Sequence, residues 1–194
     1  MKALSMQVET TRLTDVKMLS PRRFGDGRGY FCETWNSQKL AEAGIEIDFV
    51  QDNESVSRYA GTVRGLHYQA PPFAQAKLVR VVSGSILDVA VDVRVGSPDY
   101  GKWVSVELSA CNGRQLLVPR GFLHGFVTLA PETHVIYKVD NFYNAEADGA
   151  VIWNDPDLAI DWTVSSDAVA LSAKDAAAPG FSDWVSPFVY EGAL

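Results

Sequence analysis

An all-β fold, a sandwich or barrel with few short helices, follows from three features of this 194-residue chain. Apolar and polar residues alternate with a period of two in several short runs, turn signals recur between those runs, and helical periodicity is scarce. In the run from Leu87 to Val95, the residues Leu87, Val89, Val91, Val93 and Val95 share one face, while Asp88, Asp92 and Arg94 share the other. Val104, Val106 and Leu108 make a similar stripe against Ser105 and Glu107. Ser83-Gly84, Gly96-Ser97-Pro98, Asn112-Gly113 and Pro119 punctuate the runs. Asn112-Gly113, between two alternating runs, predicts a hairpin, because both residues tolerate positive φ.

The elements fall in order along a single domain, with no internal repeat, low-complexity tract or linker. Residues 1–48 are expected to supply N-terminal strands and one short helix. That helix spans Ser37 to Ala43, with Asn36 as its N-cap and Gly44 as its stop. Residues 49–145 are expected to form the barrel core. In this stretch Tyr137 shares a strand face with Val135 and Val139. Residues 146–194 read as a helical tail, with a helical turn between Val169 and Ala178 before Pro179.

Charge and composition exclude several classes of function. A net charge of −7 argues against general affinity for nucleic acid or an anionic membrane, which needs a basic patch. An anionic small ligand is still compatible, provided its site is local. No apolar run approaches the length of a membrane span, and Met1 to Met6 is too short and polar for an export signal. Cys32 and Cys111 form neither a metal nor a disulfide framework. A reduced, cytoplasmic protein is therefore expected.

The segment from Gly61 to Arg80 carries the chemistry. One of only three histidines, His67, lies there among three cations, Arg64, Lys77 and Arg80, in a run that otherwise reads as apolar strand. A neutral base beside fixed positive charge suits proton abstraction from carbon and the holding of an anion. A satisfied structural histidine among solvated strand charges is the alternative. Asp175 reads as a helix cap in Ser172-x-x-Asp175, Lys77 as an exposed strand lysine, and Tyr137 as a core tyrosine. His134 carries no motif and reads as an ordinary strand histidine.

Pro119-Arg-Gly-Phe-Leu-His124 fits P-x-G-x-x-H, the second sequence motif of the cupin β-barrels, in many of which that histidine binds metal. The place of the first motif reads His67-Tyr-Gln69, without a second histidine or a glutamate soon after, a poor shell for a transition metal. The chain resembles a metal-free cupin. More specifically, it resembles the dTDP-4-dehydrorhamnose 3,5-epimerase family, through eight blocks in family order. They are Phe24-Gly-Asp-Gly-Arg-Gly-Tyr-Phe-Cys-Glu33, Phe49-Val-Gln-Asp-Asn53, Arg64-Gly-Leu-His-Tyr-Gln69, Ala76-Lys-Leu-Val-Arg80, Pro119 through Thr128, Tyr137-Lys138, Ile152-Trp-Asn-Asp155 and Leu171-Ser-Ala-Lys-Asp175.

The resemblance implies a cupin-type β-barrel or jelly roll, a homodimer and no cofactor or metal. It implies epimerisation at C3 and C5 of dTDP-4-dehydro-6-deoxy-D-glucose, giving dTDP-4-dehydro-L-rhamnose through an enolate. His67 matches the family's base, Asp175 its orienting carboxylate, Lys77 the cation at the ketone oxygen and Tyr137 the acid on the opposite face. Phe24, Arg28, Glu33, Gln51, Asn53, Arg64 and Tyr143 match positions that hold the sugar nucleotide. His124 is expected as a polar wall of the pocket. In the family, N-terminal strands exchange across the dimer, so part of a site comes from the partner chain. A mono-epimerase of the same family, or a sugar-nucleotide-binding cupin without activity, are the competing expectations. Strict alternation from Arg64 to His67 puts their side chains on opposite faces, so both reach one pocket only if Gly65 bends or bulges the strand.

Overall fold

The computed structural model describes residues 6–165 and 168–192. Met1 to Ser5, most of the segment that reads as no export signal, lie outside the described residues, as do residues 166–167 within the tail and 193–194 at its end. Two antiparallel sheets face each other. The six-stranded sheet runs in the order β1 (Met6–Thr10), β2 (Lys17–Pro21), β10 (Gln115–Val118), β7 (Lys77–Ser83), β12 (Thr133–Val139) and β5 (Gln51–Ser57). The five-stranded sheet runs β13 (Asp148–Ala150), β6 (Val63–Gln69), β11 (Phe122–Thr128), β8 (Ser85–Asp92) and β9 (Trp103–Ser109). A separate ribbon pairs β3 (Arg23–Asp26) with β4 (Gly29–Cys32). This is the all-β, cupin-type double sheet that the sequence implies. Among the described residues the helices are α1 (Ser37–Glu42), capped by Asn36 as expected, and α2 (Ala173–Ala176).

Three apolar clusters hold these layers. Between the sheets, Val79, Val81 and Val135 pack against Ile86, Ala90, Val104, Leu108 and Phe126. The outer face of the six-stranded sheet is covered by the N-terminal region, where Leu40 and Ile45 meet Leu19, Leu78 and Leu117. The outer face of the five-stranded sheet buries Val63, Leu66, Val89, Val91, Leu123 and Val127 under Val151, Trp153, Leu158, Trp162 and Phe188 of the tail. Each of the Val, Leu and Ile side chains among these contributes roughly 1.5–3 kcal/mol on full burial.

The Leu87–Val93 stripe faces the tail-covered side and the opposite face points into the barrel, where Asp88 and Asp92 are wholly buried; Val95, beyond the strand, is half exposed. Strand β8 is buried on both faces, so its polar residues mark internal partners rather than solvent. Two expectations change in the structure. Asn112-Gly113 closes no hairpin, because β9 and β10 belong to different sheets. Asn112 instead accepts from the backbone N–H groups of Ser109 and Arg114, and Gly113 has φ +65°, in a turn that carries the chain across the sandwich. The tail is mostly coil. Pro156, Pro179 and Pro187 interrupt it, and two of its indoles are tied down, Trp162 Nε1 donating to Trp153 O at 2.8 Å and Trp184 Nε1 to the Tyr68 hydroxyl at 2.9 Å.

The bend in β6 takes the form that its sequence allowed. The β6–β11 register slips between His124 and Phe126, opposite Gly65, whose φ is +126°. A Cβ at Gly65 would lie 2.6 Å from Gly125 Cα and 2.8 Å from His124 O, both backbone atoms. Gly65→Ala is therefore expected to cost about 2–4 kcal/mol, combining backbone strain with overpacking. Urea denaturation measures this, and a change below about 0.5 kcal/mol would contradict it.

Candidate active site

A cavity of about 470 Å³ opens between the two sheets at the β5–β6 side. The bend at Gly65 lets Arg64 and His67 line it together. From the five-stranded sheet come His67 and His124, whose Cα atoms are direct partners across β6 and β11. From the facing sheet come Gln51 and Asn53 on β5, Lys77 on β7 and Tyr137 on β12. Tyr143 stands at the mouth, and Asp175 enters from α2.

His67 Nε2 and Asp175 Oδ1 are 2.5 Å apart, with the carboxylate almost wholly buried and the imidazole partly open. The capping expectation for α2 holds only in half. Ser172 accepts from the Asp175 N–H at 3.0 Å as an N-cap, but the Asp175 side chain turns to His67 rather than back to Ser172 N. Burial pushes the Asp175 carboxyl upward. Hydrogen bonds with His67, Ser172 and the Gly65 backbone, together with the charge of His67, outweigh that and hold it below the usual carboxylate range.

Lys77 has no hydrogen-bond or ion-pair partner among the described residues. Burial pushes its ammonium down to about 8, against the pull of Asp148 and Asp88 and with a further push from Lys174. Burial raises the Tyr137 phenol, partly offset by Arg64 and reinforced by Asp148. Arg64 is braced from behind, Nε donating to Ser57 Oγ at 3.2 Å and Nη2 to Val56 O at 3.1 Å. Gln51 Nε2 donates to Asn53 Oδ1 at 2.7 Å, and Gln51 Oε1 accepts from Tyr143 N at 3.3 Å.

Three predicted residues are not brought to this cavity within the single chain. Phe24, Arg28 and Glu33 sit on or beside the β3–β4 ribbon, where Arg28 pairs with Asp26 in solvent and Glu33 with Lys39 at 2.6 Å. The ribbon pairs with no strand of either sheet, which is why its side chains stay apart from the barrel interior. Arg80, grouped with His67 in the sequence, faces the outer side of β7 beside Arg23 and Gln115, as alternation from Lys77 requires. His134 lies on an exposed strand face near Glu54, 3.5 Å away.

Sequence reasoning missed Lys174 and Asp148, which line the cavity and pair with each other. Asp148 also accepts from the Tyr143 hydroxyl at 3.2 Å. Lys174 adjoins Asp175, so the signal for it was one residue away. Asp148 follows a polar turn and forms an edge strand of only three residues, too short for a periodic signal. Among the described residues no group of three or more His, Cys, Asp or Glu could hold a metal ion. No helix of the described residues is long and apolar enough to cross a membrane.

The family model for dTDP-4-dehydrorhamnose 3,5-epimerase matches residues 10–183. The chain belongs to that family. It is 49% identical over 185 residues to the dTDP-4-dehydrorhamnose 3,5-epimerase of Sinorhizobium fredii, covering 95% of this chain and 94% of that one. A Bacillus anthracis structure of the same name, with TDP and PPi bound, is 52% identical, with a TM-score of 0.88 over 91% of this chain and 99% of that one. A Legionella pneumophila dTDP-6-deoxy-D-glucose-3,5-epimerase, in complex with dTDP-4-keto-L-rhamnose, is 41% identical, with a TM-score of 0.92 over 96% and 100%. A Streptomyces bikiniensis 3'-monoepimerase in complex with dTDP-quinovose shares the fold at 31% identity and a TM-score of 0.82, over 89% of this chain and 87% of that one.

Proposed function

We propose that the protein epimerises C3 and C5 of dTDP-4-dehydro-6-deoxy-D-glucose to give dTDP-4-dehydro-L-rhamnose, without a cofactor, as a cytoplasmic homodimer. The observation that carries this reading is the placement of a histidine–carboxylate couple on one wall of the cavity and a tyrosine on the facing wall. Inversion at a carbon beside a ketone needs a base on one face of the ring and an acid on the other. With Nε2 engaged by Asp175, Nδ1 is the His67 nitrogen free to take a proton from C3 or C5. The Asp175 carboxylate stabilises the imidazolium so formed. Negative charge then develops on the C4 oxygen, where the desolvated Lys77 ammonium is worth most. Tyr137 returns a proton from the opposite side, completing the inversion.

Arg64, Gln51, Asn53, Tyr143 and His124 are proposed to hold the sugar nucleotide, Arg64 through the planar fork that suits phosphate oxygens. Phe24, Arg28 and Glu33 are proposed to serve the partner subunit's cavity. What supports the dimer is the exposure of the ribbon that carries them, including Phe24, Tyr30 and Phe31. Two cysteines, both free among the described residues, fit a reducing compartment.

The test is incubation with the 4-keto sugar nucleotide in D₂O, following deuterium at C3 and C5 by NMR. Uptake at both carbons, with a rhamno-configured product, is expected. Uptake at one carbon would make this a mono-epimerase, and none would overturn the enzymatic reading. Tyr137→Phe should cut inversion at C5 by about 10²–10⁴-fold while proton loss from substrate falls far less. Equal losses of exchange and inversion would remove Tyr137 from the acid role.

A further inference from the structure

One buried partner of a cavity residue has no part in the chemistry above. Asp88, on β8, is wholly buried behind the cavity wall. Its Oδ1 lies 2.7 Å from His124 Nε2. Its Oδ2, equally buried, has no hydrogen-bond partner. A dry carboxylate with one unmet oxygen destabilises the fold, so its position demands a reason. His124 lines the cavity in front of it. Because His124 and His67 are direct cross-strand partners, their imidazoles project from the same wall. Each ring gives Nε2 to a carboxylate, but the His67 side chain is 31% exposed and that of His124 only 8%, with Asp88 at 0%.

We propose that Asp88 is a positioning residue for the epimerisation, holding the His124 ring through Nε2 so that Nδ1 is presented to the sugar beside Lys77. This rests on reading the cavity as an epimerase site. A carboxylate facing Nε2 favours a ring protonated there, whether neutral or imidazolium, over the Nδ1–H tautomer. Nδ1 makes no hydrogen bond to a described group, so it is the nitrogen left for a sugar oxygen. The charge of Asp88 acts a second way. With Asp148 it opposes the pull of burial on the Lys77 ammonium, whereas Lys174 adds to that pull. Arg64, Tyr137, His67 and Asp175 are the remaining ionisable side chains around the same cavity, together with Tyr68 and Tyr143. Asp88 touches no substrate in this arrangement; it works through His124 and through its field at Lys77.

With only three histidines, ring-¹⁵N NMR of the unaltered protein can assign each one. His124 is expected to carry a proton on Nε2, and an Nδ1–H tautomer would overturn the proposal. Asp88→Asn should lower kcat by about 10–100-fold, the range for losing a partner that orients a histidine, with KM within about threefold. The alkaline limb of kcat/KM should move to lower pH, because removal of a nearby negative charge makes the Lys77 ammonium easier to deprotonate. Binding of dTDP checks that the variant is folded. A folded Asp88→Asn protein with kcat within about twofold of the original and an unshifted profile would overturn the proposal. If that variant does not fold, His124→Gln carries the kinetic test: a loss of about 10–100-fold in kcat supports the proposal, and an unchanged kcat overturns it. Failure of the epimerase reading is separately visible, since the unaltered protein would then exchange no deuterium.

Discussion

His67→Asn is expected to lower turnover by about 10²–10⁴-fold, the full contribution of a positioned general base. Asparagine keeps a planar, hydrogen-bonding head, so its amide can still donate to the Asp175 carboxylate. The buried acid is therefore not left without a partner, which is the usual route by which such a change unfolds a protein. Urea midpoint and dTDP affinity should stay near those of the original. Deuterium uptake should fall at C3 and C5 alike, because one base serves both carbons. Retention of more than about a tenth of the activity would remove His67 from the role of base. Loss at one carbon alone would require a second base.

The barrel was legible in the sequence because period-two alternation needs only one buried face to show itself, as in Val104, Val106 and Leu108. The same reasoning separated the two faces of β8 but could not say what each meets. Asp88 and Asp92 share the face opposite the valines, and both are buried against partners distant in sequence or at the strand end, His124 and Arg94. Alternation records polarity but not which face meets water, so a strand covered on both sides by a coil tail and a second sheet looks half exposed. Turn chemistry was similarly local. Asn112-Gly113 was read correctly as a turn and wrongly as a hairpin, because the residues of a turn do not specify which sheet the next strand joins.

The site divides along the same line. His67, Lys77, Tyr137 and Asp175 were named through motif resemblance, and the fold brings all four to one cavity although α2 lies 108 residues from His67. Asp148 and Lys174 escaped because neither sits in a periodic element. Their proximity comes from the edge pairing of β13 with β6, which no local pattern encodes. Phe24, Arg28 and Glu33 carry the opposite lesson. Their residue types suit a sugar-nucleotide cleft, but the ribbon that bears them leaves the chain's own barrel.

Lys77→Met should separate function from stability in opposite directions. Methionine matches the length of the lysine stem without the charge, so the cavity wall stays filled. Loss of the ammonium at the enolate oxygen should reduce kcat by about 10²–10³-fold, as for other preorganised donors to a developing oxyanion. The unaltered enzyme should show an alkaline limb in kcat/KM near pH 8, where the free enzyme's Lys77 gives up its proton. The stability effect has the reverse sign. The Lys77 ammonium titrates at about 8 when folded, well below the ordinary lysine range of the unfolded chain. Between those values the unfolded state binds more protons, so stability of the original protein rises with pH there. Below pH 8 the full penalty of burying the charge is present, and the methionine variant should then be the more stable protein. A Tm increase of about 2–4 °C at pH 7 is the shift that 1 kcal/mol makes in a chain of this size. The advantage should shrink as pH approaches the unfolded lysine range. A variant less stable than the original at pH 7 would show that Lys77 contributes packing or a hydrogen bond that outweighs its desolvation. A variant that keeps more than a tenth of the activity would move enolate stabilisation to another group.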